Sequence, residues 1–227
     1  MSDHKVVALF YVQSCRGVGH LHRIASLATT LISTHPTSRV IVVSGGPSHP
    51  DVEERLVSHG IRFVQLETLK AANKEQWKLV TNENTPITTD IQINRRDVLL
   101  NVLRMEVPTA VVIEMFPFGR RRFHFEIEPL LNACYEQRPR PLIACSVRDL
   151  LVKLKINDQL WALNKINTYY DCVFVHSDSN IIPFSHSFKY SNEMKDKIVY
   201  TGYVVDSSRV NAIDNITTNN KSNSNTR

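Results

Sequence analysis

At 227 residues the chain can bury one substantial core, with two small ones as the alternative. Its 42% hydrophobic and 22% charged residues are the proportions of an ordinary globular protein, and no apolar run approaches the ~18 residues of a membrane span. The net charge of +5 is modest and, apart from Arg120-Arg121-Arg122, the basic residues are spread out; this argues against nucleic acid and suits an anionic small ligand.

The first apolar run, VVALFYV (6–12), is short for a signal sequence, has Asp3 ahead of it and lacks a small-residue cleavage site behind it. Six more runs follow: VIVVSG (40–45), IRFVQL (61–66), AVVIEMF (110–116), PLIACSV (141–147), CVFVHS (172–177) and KIVYTGY (197–203). They are continuous rather than alternating, as in strands covered on both faces of a parallel sheet. Helical stripes lie between most of them: Leu21, Ile24, Ala25, Leu27, Ala28 and Leu31; Val98, Leu99, Val102 and Leu103; Phe123, Ile127, Leu130 and Leu131; Leu160, Leu163 and Ile166. Strand and helix in alternation predict an α/β, doubly wound, mostly parallel Rossmann-like sheet of about seven strands with helices on both faces. Residues 67–93 read as a long polar connection around Trp77, of the kind that is functional or mobile. The Asn/Ser/Thr-rich stretch 207–227 reads as a disordered tail, so the folded unit is expected over 1–206. Cys15, Cys134, Cys145 and Cys172 form no Cys-x-x-Cys pair and read as free thiols in a reducing compartment. The expected location is cytoplasmic, with no transmembrane segment.

In an open α/β sheet ligands bind beyond the carboxyl ends of the strands. QSCRGVGH follows the first run, SGGPSHPD the second, EMFPFGRRR the fourth, SVRD the fifth and HSDS the sixth. The first of these loops fits a dinucleotide site poorly. Gly17-x-Gly19-x-x-His22 lacks the third glycine, and the second run ends in Ser44-Gly45-Gly46 rather than in an acid for a ribose hydroxyl. A P-loop is excluded, since no Gly-Lys-Ser/Thr follows. What remains is a tight turn at Gly17 and Gly19 whose backbone amides, at a helix start, can hold an anion. His20 then sits in the first helical turn. The positive helix end favours its neutral imidazole, able to accept a proton as a general base; capping or a structural hydrogen bond is the plainer role.

Glu114 ends an apolar strand, so its carboxylate orients His20, binds a sugar hydroxyl, or pairs with Arg120 or Arg148. Arg120, Arg121 and Arg122 precede a helix with Glu126 and Glu128. One or two of them can bind an anion, and a solvated helix start is the ordinary reading. Arg148-Asp149 is an internal ion pair, a ligand clamp, or both. Trp77 is a stacking platform or packs under its own loop. His22, His49 and His176 have no metal-ligand spacing, and no metal or cofactor is expected.

GVGHLHR after the first run, VVSGG, IEMFPFGRRRFHFEIEPLL (113–131), CSVRDLLV (145–152), VFVHSD (173–178) and TGYV (201–204) together resemble a family of predicted GT-B fold glycosyltransferases. That broad group includes the lipid-linked N-acetylglucosaminyltransferases of peptidoglycan synthesis. The resemblance runs from about Val6 to Val205, and block 113–131 is its most specific part. It implies two facing Rossmann-like domains, the first holding the acceptor and the second the nucleotide-sugar donor. It implies that Gly17, Gly19 and His20 face the cleft, with His20 as the base and Glu114 or Asp149 as its partner. Arg120, Arg121 and Arg148 are then candidates for substrate binding, and the nucleotide sugar is a co-substrate.

In the family the chain continues from TGYV into the donor-binding domain, whereas here the Asn-rich stretch follows. The expectation is therefore an acceptor-side half of a sugar transferase. A truncation, a separate donor-binding subunit, or loss of that half would each account for it. A non-catalytic α/β module that binds a sugar, lipid head group or protein is the alternative. A transferase half is expected to expose His20, Glu114, Arg120 and Arg148 on one concave face.

Overall fold

All seven apolar runs are strands of a single sheet. The computed structural model describes residues 6–72, 78–148 and 154–205. Its strands and α-helices run, in chain order, β1 (Val7–Val12), α1 (Gly19–Thr34), β2 (Arg39–Ser44), α2 (Pro50–Ser58), β3 (Arg62–Gln65), β4 (Leu69–Ala71), β5 (Leu79–Thr81), α3 (Thr89–Glu106), β6 (Ala110–Glu114), α4 (His124–Glu136), β7 (Leu142–Arg148), α5 (Ile156–Tyr169), β8 (Cys172–His176) and β9 (Ile198–Tyr200). The large sheet has the order β3-β2-β1-β6-β7-β8-β9 and every pair in it is parallel. The order reverses between β1 and β6, which opens a crevice beyond their carboxyl ends.

The continuous hydrophobicity of the strands follows from the two layers that cover them. Ala8, Phe10 and Val12 of β1 pack with Leu21, Ile24 and Ala25 of α1 and with Val52 and Leu56 of α2. Leu9 and Tyr11, one residue out of step, pack with Leu99 and Leu103 of α3 and Ile127 and Leu130 of α4 on the other face. Alternate side chains point to opposite faces, and both faces are dry.

Three local expectations change. The connection 67–93 is not one long loop: β4 and β5 pair antiparallel. Thr88, whose hydroxyl accepts from the Ile91 amide, then starts α3 at Thr89. The hairpin closes over the first crevice loop, the Leu69 amide donating to the Gly45 carbonyl and the Ala71 amide to that of Cys15. Trp77 and the stretch beyond Val205 lie outside the described residues. Helix α2 has no sequence stripe because only Val52 and Leu56 are buried on it. Helix α5 is turned by about one residue from the Leu160, Leu163, Ile166 stripe. It buries Gln159, Ala162 and Ile166 and leaves Leu160 44% exposed. The amide side chain of Gln159 is satisfied in place, donating to the Leu154 carbonyl at 3.1 Å and accepting the Lys189 amide at 2.9 Å. A polar residue can thus displace a leucine from a buried position.

The glycine pair after β2 has a steric cause. A Cβ on Gly46 would stand 2.4 Å from the Ser14 carbonyl oxygen and 3.0 Å from its nitrogen, whereas one on Gly19 would meet nothing within 4 Å. Gly46→Ala is therefore expected to lower unfolding free energy by about 1–3 kcal/mol, by displacing the β1 loop. Gly19→Ala, at a helical position, is expected to lose none. Urea unfolding of the two variants checks the contrast, and equal stabilities would contradict it.

Candidate functional site

The crevice loop is fixed from below and open above. Its first residue, Gln13, is fully buried. The side chain accepts from Arg95 Nη2 at 2.8 Å and donates to the Leu69 carbonyl at 3.0 Å, and its own carbonyl accepts from Arg120 Nε at 2.6 Å. Arg95 lies on a buried carboxylate, with Nε 2.8 Å from Glu126 Oε2 and Nη2 2.6 Å from Oε1, and the Tyr11 hydroxyl donates to the same group. Burial, then the Glu126 charge, pushes the Tyr11 phenol well above its ordinary range. Past this anchor the chain turns at Gly17, in the left-handed region with φ +61°, and enters α1 at Gly19. The first turn of α1 has no side-chain cap and no acidic residue. Its leading amides have no acceptor within the helix, and Gly17 and Gly19 beside them are exposed.

His20 and Arg23, three residues apart on α1, reach one carboxylate at the end of β6. His20 Nδ1 is 2.9 Å and Arg23 Nη1 2.5 Å from Glu114 Oε1. Ser146, directly across from Glu114 in the β6–β7 register, donates its hydroxyl to Oε2. Ser146 Oγ lies 2.9 Å from His176 Nε2, and His176 Nδ1 2.7 Å from Thr201 Oγ1. Burial by itself would raise the Glu114 carboxyl. The His20 hydrogen bond, the Arg23 charge and the Ser146 hydrogen bond outweigh it and hold the group below the usual carboxylate range. Glu114 is thus an ionised acceptor, which requires His20 Nδ1 to carry a proton; in the neutral imidazole the lone pair is then on Nε2.

Gly17, Gly19 and His20 occupy a strand-to-helix turn on the same sheet edge as Glu114 and Arg148. Of the three options for Glu114, the contact with His20 is the one formed; its cationic partner is Arg23 rather than Arg120 or Arg148. Glu114 lines no open face, since it is fully buried behind His20, whose side chain is 21% exposed. Arg120 spends Nε on the Gln13 carbonyl and is half-buried at the loop. Arg121 points away to Asp158 and lies over the Trp161 ring at 4.7 Å. Arg148 is exposed at the end of β7, and Asp149 falls outside the described residues. The helix after Arg122 is not solvated throughout: Glu126 is fully buried under Arg95, and Glu128 pairs with Lys165 at 2.9 Å. Sequence reasoning missed Arg23, Ser146 and Thr201, and weighed His176 only as a metal ligand. The i, i+3 step from His20 could have signalled Arg23, and alignment of strand ends could have signalled Ser146. Among the described residues no cluster of three or more His, Cys, Asp or Glu side chains is placed to hold a metal ion.

Burial, with the Glu114 charge opposing it and Arg23 adding to it, brings His176 down to about 4. A histidine whose folded value is depressed resists protonation that the unfolded chain accepts. Stability therefore falls as pH drops from about 6.5, the unfolded value, to about 4, at up to about 1.4 kcal/mol per pH unit from this group. Glu114, whose folded value is also depressed, adds a loss in the same direction below its own unfolded value. Urea midpoints measured from pH 7 to 4 are expected to decline, and His176→Gln, which cannot titrate, is expected to flatten the upper part of the decline.

No family model and no curated protein matches the sequence. Solved structures do. A glycosyltransferase from Rickettsia africae superposes with a TM-score of 0.53 at 11% identity, over 87% of this chain and 42% of that one. UGT2 of Phytolacca americana, complexed with UDP-2fluoro-glucose and pterostilbene, gives 0.53 at 12%, over 91% and 56%. A UGT of Medicago truncatula complexed with UDP-glucose gives 0.53 at 14%, over 91% and 54%. The chain spans about half the length of these structures. At such identities the likeness is one of fold: a Rossmann-like half-domain of the GT-B-like glycosyltransferase fold. No helix among the described residues is long and apolar enough to cross a membrane.

Proposed function

We propose that these residues form the acceptor side of a glycosyltransferase, which moves a sugar from a nucleotide-sugar donor to an acceptor hydroxyl, with His20 as the base. The observation that carries this is the 2.9 Å contact between His20 Nδ1 and the buried Glu114 carboxylate at the sheet's switch point. Glu114 fixes the tautomer, so Nε2 takes the acceptor proton while the hydroxyl oxygen attacks the anomeric carbon. The bond to the nucleoside diphosphate breaks, and the electron pair leaves with it. The resulting imidazolium is stabilised by Glu114, which stays ionised. The backbone amides at the start of α1 around Gly19, with Arg120 and Arg148, supply positive potential for the leaving diphosphate. Arg121 is the weakest of the candidates for substrate, being turned toward Asp158.

One wall of a cleft stabilises a diphosphate poorly. Charges that face it across water are worth far less than in an enclosed site, and donor and acceptor are not held against each other. The purified 227-residue chain is accordingly expected to release no nucleoside diphosphate from a nucleotide sugar. Supplying a donor-binding half, joined to it or as a separate subunit, is expected to give sugar transfer. Robust transfer by these residues alone, in a preparation free of other transferases, would overturn the reading of them as the acceptor side. The burial of Glu114 is the observation that favours the alternative, a non-catalytic module in which His20 and Glu114 form a structural pair. Binding of a sugar or lipid head group, with no transfer under either arrangement, would establish it.

A further inference from the structure

The polar side chains behind Glu114 form a chain whose direction is fixed by the hydrogens available. Ser146 has one hydroxyl hydrogen and two close neighbours, Glu114 Oε2 and His176 Nε2. An ionised carboxylate can only accept, so the hydrogen goes to Glu114 and Ser146 must accept from His176. Nε2 of His176 therefore carries its proton. His176 is 4% exposed, and burial keeps it neutral above about pH 4, so its Nδ1 is a lone pair. That lone pair takes the Thr201 hydroxyl hydrogen across 2.7 Å, the shortest contact Thr201 makes. The opposite tautomer of His176 would set a second lone pair against Ser146 and draw its hydrogen away from Glu114.

We propose that Ser146 is a positioning residue for the His20–Glu114 pair, with His176 and Thr201 locking the direction in which its hydroxyl donates. The proposal rests on the reading of His20 as a base and extends it across three further elements. Ser146 occupies Oε2, while His20 and Arg23 occupy Oε1, so the carboxylate cannot rotate away from the imidazole. The groups facing Glu114 are His20 and Arg23 from α1, Ser146 from β7 and His176 from β8; the Cys145 thiol of β7, buried on the other face of the sheet, is held neutral by burial and then by the Glu114 charge. The anchor at the far end is Thr201, whose amide donates to the Val175 carbonyl at 3.1 Å. The base on α1 is thereby tied through β6, β7 and β8 to the segment that leaves β9.

Long-range proton–nitrogen NMR on the 227-residue chain reads the first half of this directly. His176 is expected as the Nε2–H tautomer and His20 as the Nδ1–H tautomer at pH 7. In Ser146→Ala the carboxyl titration of Glu114, followed by carbon NMR, is expected to move upward, because a donor to the charged form is lost. With a donor-binding half supplied, the same variant is expected to lose about 10- to 100-fold in kcat with KM changed less than about 2-fold. His176 in the Nδ1–H form would overturn the proposal, and so would an unmoved Glu114 titration in Ser146→Ala. If Ser146→Ala does not fold, the tautomers of the unaltered protein decide it. Tautomer and titration need no turnover, so they can hold even where His20→Ala leaves transfer intact and the base reading fails.

Discussion

His20→Ala is expected to lower sugar transfer by about 10²–10⁴-fold, the range for loss of a positioned general base, when measured with a donor-binding half present. The alanine leaves the acceptor hydroxyl without a proton acceptor in the transition state. KM for either substrate should change little, because the side chain acts on a bond that is breaking rather than on the ground-state complex. Structural damage should be small, since His20 is 21% exposed and Arg23 and Ser146 still neutralise and bind Glu114. Glu114→Gln is the companion test. A glutamine amide can donate to His20 Nδ1 and so hold the lone pair there, leaving the proton on Nε2, where the acceptor must deliver its own. A loss comparable to that of His20→Ala is expected, because the wrong tautomer is as inert as no base. Near-normal turnover in His20→Ala would show that the base lies elsewhere.

The largest stability effect is expected at Arg95. This guanidinium is fully buried and serves Glu126, Gln13 and the carbonyls of Gly45 and Glu67 together. Arg95→Met removes every one of those donors and leaves the Glu126 carboxylate buried without a cation. Breaking a buried pair from one side costs about 3–5 kcal/mol, a large fraction of the ~5–15 kcal/mol that holds a domain folded. The melting temperature is expected to fall by about 6–20 °C for a chain of this size. Replacing both partners, Arg95→Met with Glu126→Leu, should cost less than the two single changes together, because the uncompensated charge disappears. Calorimetry of the three variants tests this, and additive losses would show that the two side chains are not energetically coupled. The effect bears on function as well: Arg95 holds Gln13, and Gln13 begins the loop that carries Gly17 and His20.

The seven strands could be read from the sequence because each is a continuous apolar run, a pattern that burial on both faces imposes and that few other arrangements tolerate. Helices α1, α3 and α4 were readable for a similar reason, having stripes of large apolar side chains at helical spacing. The turn at Gly17 and Gly19 and the placement of His20 and Glu114 on one edge followed from the rule that parallel strands all end on the same side. The β4–β5 hairpin was not readable, since its two short strands gain stability from amide bonds to Gly45 and Cys15 far away in the sequence. Nor was the turn of α5, where the buried position goes to Gln159 because distant backbone groups satisfy it.

The partners of the charged groups were decided by the tertiary structure alone. Sequence left Glu114 open to Arg120 or Arg148, both near strand ends; the fold gives it Arg23, because helix α1 crosses the end of β6 with residues 20 and 23 on the same side. It assigned Glu126, in the helix after the arginine cluster, no partner, and the fold buries it against Arg95. Apolar burial is a property each residue carries into any environment, so its pattern survives in the sequence. A hydrogen bond or ion pair depends on the distance and direction between two groups as much as 115 residues apart, and only the folded chain fixes those.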